Sequence, residues 1–132
     1  LVLPESAIEN MRSAAEAPVR ESGVQVITPG MTLGPVQIEL IATNHAEEVA
    51  IVYIPETETL FQADLYDGNL AESISYVAAS GVALKNEVQR LGLNVNTLLS
   101  AHSRKAESWE AIEEAAEAYN FDRCPTGRII CR

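Results

Sequence analysis

His45, Asp64 and His102 are the residues of this chain whose types and spacing bear on chemistry. They are the two histidines the sequence contains and one aspartate, each closing or following an apolar run of strand character. Imidazole and carboxylate are ligands for divalent ions such as zinc, and a bound ion lowers the pKa of its water towards about 7. Hydrolysis of an ester, amide, lactone or phosphodiester near neutral pH needs that help, because water alone is a poor nucleophile. Two ions about 3.5 to 4 Å apart share a bridging carboxylate, so such a site draws several His and at least one Asp from different strand ends. A plainer reading stands beside this one. A lone histidine is ordinarily a surface or hydrogen-bonded residue, and an aspartate after a strand is ordinarily a turn or a helix cap.

The elements that must position these groups follow from hydrophobic periodicity. Ser6 with Glu9 makes a capping-box pattern, and Ile8, Met11 and Ala15 recur on one helical face ahead of Pro18, which predicts a first helix. Gly23 to Ile27 and Val36 to Ile41 alternate, with Val36, Ile38 and Leu40 opposed by Gln37 and Glu39, and they flank the turn-like TPGMTLGP. Two antiparallel strands are expected there. Val49 to Ile54 is continuous and rich in β-branched residues, as in a strand covered on both faces, and Pro55 to Thr59 turns it into a hairpin with Leu60 to Ala63.

From Leu70 the period becomes helical through Ile74, Val77, Val82, Leu84, Val88 and Leu91, broken by Gly81 and ended by Gly92, so two helices or one bent helix are expected. Leu93 to Leu99 returns to strand character. Ser103 then offers a cap for a last helix with Trp109, Ile112, Ala116 and Tyr119 on one face. The expected order is helix, four strands, two helices, strand, helix, in one layered α+β unit over residues 1–132.

Nine Lys and Arg against nineteen Asp and Glu leave a net charge of −10, a field that repels phosphate backbones and anionic lipid and so argues against nucleic acid and membrane partners. Glu107, Glu110, Glu113, Glu114 and Glu117 carry much of it, as a solvated helix face does. The longest apolar run, Val49 to Ile54, is far below the roughly 18 residues of a membrane span. Cys124 and Cys131 match no zinc or redox spacing, and free thiols and a small-loop disulfide are both open. There is no Gly-x-Ser-x-Gly elbow, phosphate-binding glycine loop or dinucleotide fingerprint. The chain begins at Leu1 rather than methionine, leaving a processed chain, an excised piece and an incomplete sequence all open.

The run from His45 through Asp64 to His102 resembles the carboxyl-terminal half of metallo-β-lactamase-fold hydrolases. In that family a histidine precedes a strand of the form seen here as VAIVYIPET, a strand like TLFQADLY ends in a metal-bridging aspartate, and a strand like VNTLLSAHS ends in another histidine. The likeness spans roughly Gly23 to Tyr119 and includes the helix, strand, histidine and final helix of LKNEVQRLGLNVNTLLSAHSRKAESWEAIEEA. It implies that His45 binds a first metal, Asp64 bridges two metals and His102 binds the second, with zinc as the ion and a small-molecule substrate.

The chain has no His-x-His-x-Asp-His segment, which in the family supplies the remaining ligands and an acid/base aspartate. Ala63 and Ser103 also stand where glycine is common, and Glu48 where a small polar residue is common. The resemblance thus implies one ββα half of an αββα sandwich, holding metal weakly and inactive alone. One sheet face would be left apolar, lined by Val49, Ile51 and Tyr53 or by their alternates Ala50, Val52 and Ile54. Such a face is expected to meet a separate amino-terminal half or a second copy of the chain as a homo-oligomer. The alternative is a non-catalytic binding module that retains the hydrolase scaffold and self-associates through that face.

Overall fold

Parallel neighbours in a sheet cannot be joined by a tight turn, so the chain between them must make a long crossover, usually a helix. The computed structural model describes residues 2–15, 23–44, 46–68, 75–103 and 105–119, and in it the two strands before and after the long helix are such a pair. His45, Leu70, Ile74, Cys124 and Cys131 lie outside the described residues.

In chain order the elements are β1 (Val2–Leu3), α1 (Glu5–Ala14), β2 (Gln25–Val26), β3 (Met31–Leu33), β4 (Val36–Ile41), β5 (Val49–Ile54), a 3-10 turn (Pro55–Thr57), β6 (Thr59–Gln62), α2 (Ser75–Leu91), β7 (Thr97–Ser100), β8 (Glu107–Ser108) and α3 (Trp109–Ala118). Six strands form one sheet in the order β3-β4-β5-β6-β7-β8, antiparallel except for the parallel β6–β7 pair, and β1 and β2 form a small parallel sheet. The fold class is α+β, as the residue pattern predicts.

Several local expectations are corrected. The predicted strand at Gly23 to Ile27 shortens to β2, which pairs with β1 rather than with β4. The partner of β4 is β3, inside the segment read as a turn: Gly34 at φ 58 and Pro35 make a two-residue hairpin loop with Leu33 opposite Val36. In α1 the cap is Pro4, whose fixed φ suits helix entry, and Ser6 instead donates to the Glu48 carboxylate. The last helix is capped by Ser108, which accepts from Ala111 N, rather than by Ser103, because β8 intervenes.

Gly81 does not break α2, which runs unbroken from Ser75 to Leu91. A Cβ at Gly81 would lie 2.5 Å from Cδ2 of Tyr66, so this glycine admits an aromatic ring against the helix instead of bending it. Gly92, at φ 67, ends the helix as predicted, with Leu93 N donating to Val88 O. Among the described residues no helix is long and apolar enough to cross a membrane.

The helices cover one face of the sheet. Ile51, Tyr53, Leu60 and Leu98, which the strand register places side by side, pack with Leu84 and Val88 of α2 and Trp109 and Ile112 of α3. Each such side chain contributes on the order of 1.5 to 3 kcal/mol by leaving water. The Tyr53 hydroxyl donates to Asn94 O at 2.6 Å, and burial, with Glu58 adding, raises its pKa.

The alternation in β4 has a meaning the sequence did not reveal. Register puts Glu39 beside Ile51 and Ile38 beside Val52, so the apolar set Val36, Ile38 and Leu40 faces away from the helices. Glu39 is buried on the helix side, where its carboxylate accepts from Gly30 N at 2.9 Å and Gln37 Nε2 at 2.7 Å. The second face therefore continues from Ile38 and Val52 to Phe61 and Leu99, which are 40% and 38% exposed. Of the two sets named from sequence, Ala50, Val52 and Ile54 are the ones outside the helix-covered core.

Replacing Gly81 with alanine tests the ring contact. Alanine favours a helix by about 1 kcal/mol over glycine. Displacing the Tyr66 ring costs about 1 to 3 kcal/mol. The expected outcome is net destabilisation, read as a lower urea midpoint; a midpoint equal to or above the native one would show that Tyr66 moves aside freely.

Candidate functional site

Because β6 and β7 run parallel in register, with Gln62 opposite Ser100, both strands end at the same rim of the sheet. Asp64 stands two residues beyond the end of β6 and His102 two residues beyond the end of β7. Ala101 N donates to Gln62 O at 3.0 Å and carries the ladder one step past the strands. The outcome is direct contact: His102 Nε2 lies 2.6 Å from Asp64 Oδ1, a charge-assisted distance in which the imidazole N–H donates and the carboxylate accepts.

Both side chains of this pair are more than half exposed, at 63% for His102 and 53% for Asp64. An exposed ion pair contributes about 0 to 1 kcal/mol to stability, so the fold does not depend on it. The loops that carry the pair are anchored elsewhere. Gln62, fully buried, accepts from Leu65 N and Tyr66 N and donates to Tyr66 O. Glu107 of β8 accepts from Gly68 N at 3.0 Å at the far end of the same loop. On the β7 side Ser103 N donates to Ser100 O, and Ser103 Oγ donates to Lys105 O.

Two connections dock on one turn of α2. The Tyr66 ring lies against Gly81, and the neighbouring Ser80, fully buried, donates to Asn44 Oδ1 at 3.0 Å. Thr43 N donates to Ala46 O and closes a turn across the β4–β5 connection. Asn44 is thereby tied to the helix turn that also receives the Asp64 loop.

Of the three residues singled out from sequence, the structure brings Asp64 and His102 together, while His45 lies outside the described residues. A carboxylate oxygen and an imidazole nitrogen suit a divalent ion such as zinc in kind. In number they fall short, since among the described residues no group of three His, Cys, Asp or Glu converges. Gln62 was missed from sequence, and Glu107, read there as part of a solvated helix face, lies in β8 and accepts from Gly68 N; both shape the site without belonging to it. A signal for Gln62 existed: it follows Leu60 at the strand period, so a polar group was due on the core face, where it must find partners.

No family model matches the chain. No curated protein matches it by sequence. Solved structures do match by shape. The DIM-1 metallo-beta-lactamase aligns with a TM-score of 0.58 at 14% identity, over 88% of this chain and 55% of that one. A metallo beta lactamase from Erythrobacter litoralis aligns at 0.56 and 20% identity with the same coverage. Rubredoxin oxygen:oxidoreductase from Desulfovibrio gigas aligns at 0.57 and 10% identity, over 88% of this chain and 36% of that one. The chain spans about 55% of the length of the lactamases it matches. At these identities the likeness establishes the fold: this chain forms part of the metallo-β-lactamase fold, with Asp64 and His102 paired at the carboxyl ends of neighbouring strands.

Proposed function

We propose that this chain is the carboxyl-terminal half of a metal-dependent hydrolase, contributing His45, Asp64 and His102 to a zinc site that acts on an ester, amide, lactone or phosphodiester of a small molecule. The observation that carries the proposal is the Asp64–His102 contact at parallel strand ends of a metallo-β-lactamase-like scaffold. A bound divalent ion would supply an activated water and a Lewis acid. This chain's own contribution is to hold a carboxylate and an imidazole at one rim. The remaining ligands come from a complementing half, so the chain alone is not expected to turn over substrate.

The second sheet face supports the same reading. Phe61 and Leu99, exposed on this face beside the half-buried Val52, are costly in water and suit packing against another sheet, either an amino-terminal half or a second copy. A non-catalytic binding module is the second reading, favoured by the lack of a His-x-His-x-Asp-His segment in the sequence.

Calorimetric titration with Zn²⁺ separates the two. The hydrolase-half reading expects weak binding by the native chain and a loss of about tenfold or more, ~1.4 kcal/mol, on His45→Ala, Asp64→Ala or His102→Ala. Indistinguishable isotherms for all four proteins would end the metal proposal and leave the binding module. Sedimentation tests the open face: the native chain is expected to associate at micromolar concentration, and Phe61→Lys with Leu99→Lys to shift it towards monomer. A native chain that stays a stable, folded monomer would remove the docking role.

A further inference from the structure

We infer that Gln62 is the positioning residue of the Asp64–His102 pair, an assignment that rests on reading that pair as the site. The segment Ala63-Asp64-Leu65-Tyr66 contains no glycine, proline or asparagine, so apart from Asp64 nothing in it favours a turn by its own chemistry. Gln62 supplies the shape from outside. Its Oε1 accepts from Leu65 N at 2.6 Å and Tyr66 N at 3.2 Å, and its Nε2 donates to Tyr66 O at 2.5 Å, closing a ring around Asp64.

The same residue acts on the other partner. Its main-chain carbonyl accepts from Ala101 N at 3.0 Å, one residue before His102. One buried amide therefore sets the loop that presents the carboxylate, while its backbone sets the turn that presents the imidazole. The Gln62 side chain bonds to the main chain of the loop, and its effect on Asp64 is carried through that main chain.

A glutamine on the core face is a poor choice for packing alone. Its strand neighbours on that face include Leu60, and an apolar residue of similar volume there would avoid burying an amide. Such a residue would leave Leu65 N, Tyr66 N and Tyr66 O without the partner they now have, and the loop would find another path. At this position the amide serves the loop conformation.

The experiment is long-range proton–nitrogen NMR of the His102 ring on the full chain at one fixed, mildly alkaline pH. Asp64→Ala serves as the reference for a separated pair, His102→Ala as the assignment, and urea midpoints run alongside. In folded Gln62→Met the His102 ring nitrogen shifts are expected to move most of the way to their Asp64→Ala values. Gln62→Glu keeps the shape and two acceptor bonds but as a carboxylate loses the donor to Tyr66 O, so its shifts are expected between the two. If Gln62→Met does not fold, Gln62→Glu decides alone.

A purely structural glutamine would lower the urea midpoint and leave the ring signature of the folded protein native. Native ring shifts in the folded Gln62 variants would overturn the assignment while the Asp64–His102 pair stands. Identical ring shifts in the native chain and Asp64→Ala would mean that no pair forms, and both the site and the role of Gln62 would fall together.

Discussion

The parallel pairing of β6 with β7 is the constraint on which the rest of the structure depends. Two strands running the same way finish at the same edge of the sheet, and the residues just past them are neighbours however far apart they lie in sequence. Asp64 and His102 are 38 positions apart and meet at 2.6 Å for this reason. The crossover that parallel pairing requires is α2, and α2 in turn covers the sheet with Leu84 and Val88 and receives Tyr66 and Asn44 at adjacent residues. Core, crossover and rim are consequences of one register. Open α/β sheets place their ligands beyond the carboxyl ends of strands on the same geometric ground, since there the loops converge and the backbone ladder no longer occupies the space.

The sheet itself is two-faced in an uncommon way. On the helix side the packing is complete, with Ile51, Leu60, Leu84 and Ile112 wholly buried. On the other side β4 turns its aliphatic set outward and keeps Glu39 inward, where two hydrogen bonds are needed to satisfy it. A strand that served only the helix-covered core would have the reverse arrangement, because burying a carboxylate in place of a leucine is unfavourable. The alternation in β4 thus gives the sheet a second apolar face, on which Ile38 is buried and Phe61 and Leu99 are exposed.

Within the site, the division of labour follows burial. Asp64 and His102 are exposed and contribute little to holding the fold. Gln62 and Glu107 hold the loop ends, and Gly81 makes room for the ring that pins the loop to α2. Rigid supports carrying accessible reactive groups are what a preorganised site requires.

Much of this was legible in the residues. Periodicity located α1, β4, the β5–β6 hairpin, the strand before His102 and the final helix, because apolar spacing reports which residues leave water, and that holds locally. Asp64 and His102 were recognisable by type and by their place after strands. What could not be read was anything decided by a partner distant in the chain. The pairing of β3 with β4 rather than β2 depended on a two-residue turn at Gly34, and Gly81 looked like a helix break because the Tyr66 ring that fills its space is 15 positions away. Ser103 gave way to Ser108 as the helix cap because β8 pairs with β7 first.

By itself the sequence determined the kinds of element and drew attention to Asp64 and His102 by type, since both follow from side-chain chemistry. Which face of the sheet the helices cover, and that Asp64 touches His102 through a loop held by Gln62, was decided only by tertiary structure. Strand register is a relation between distant segments, and a one-residue slip would send every side chain to the opposite face.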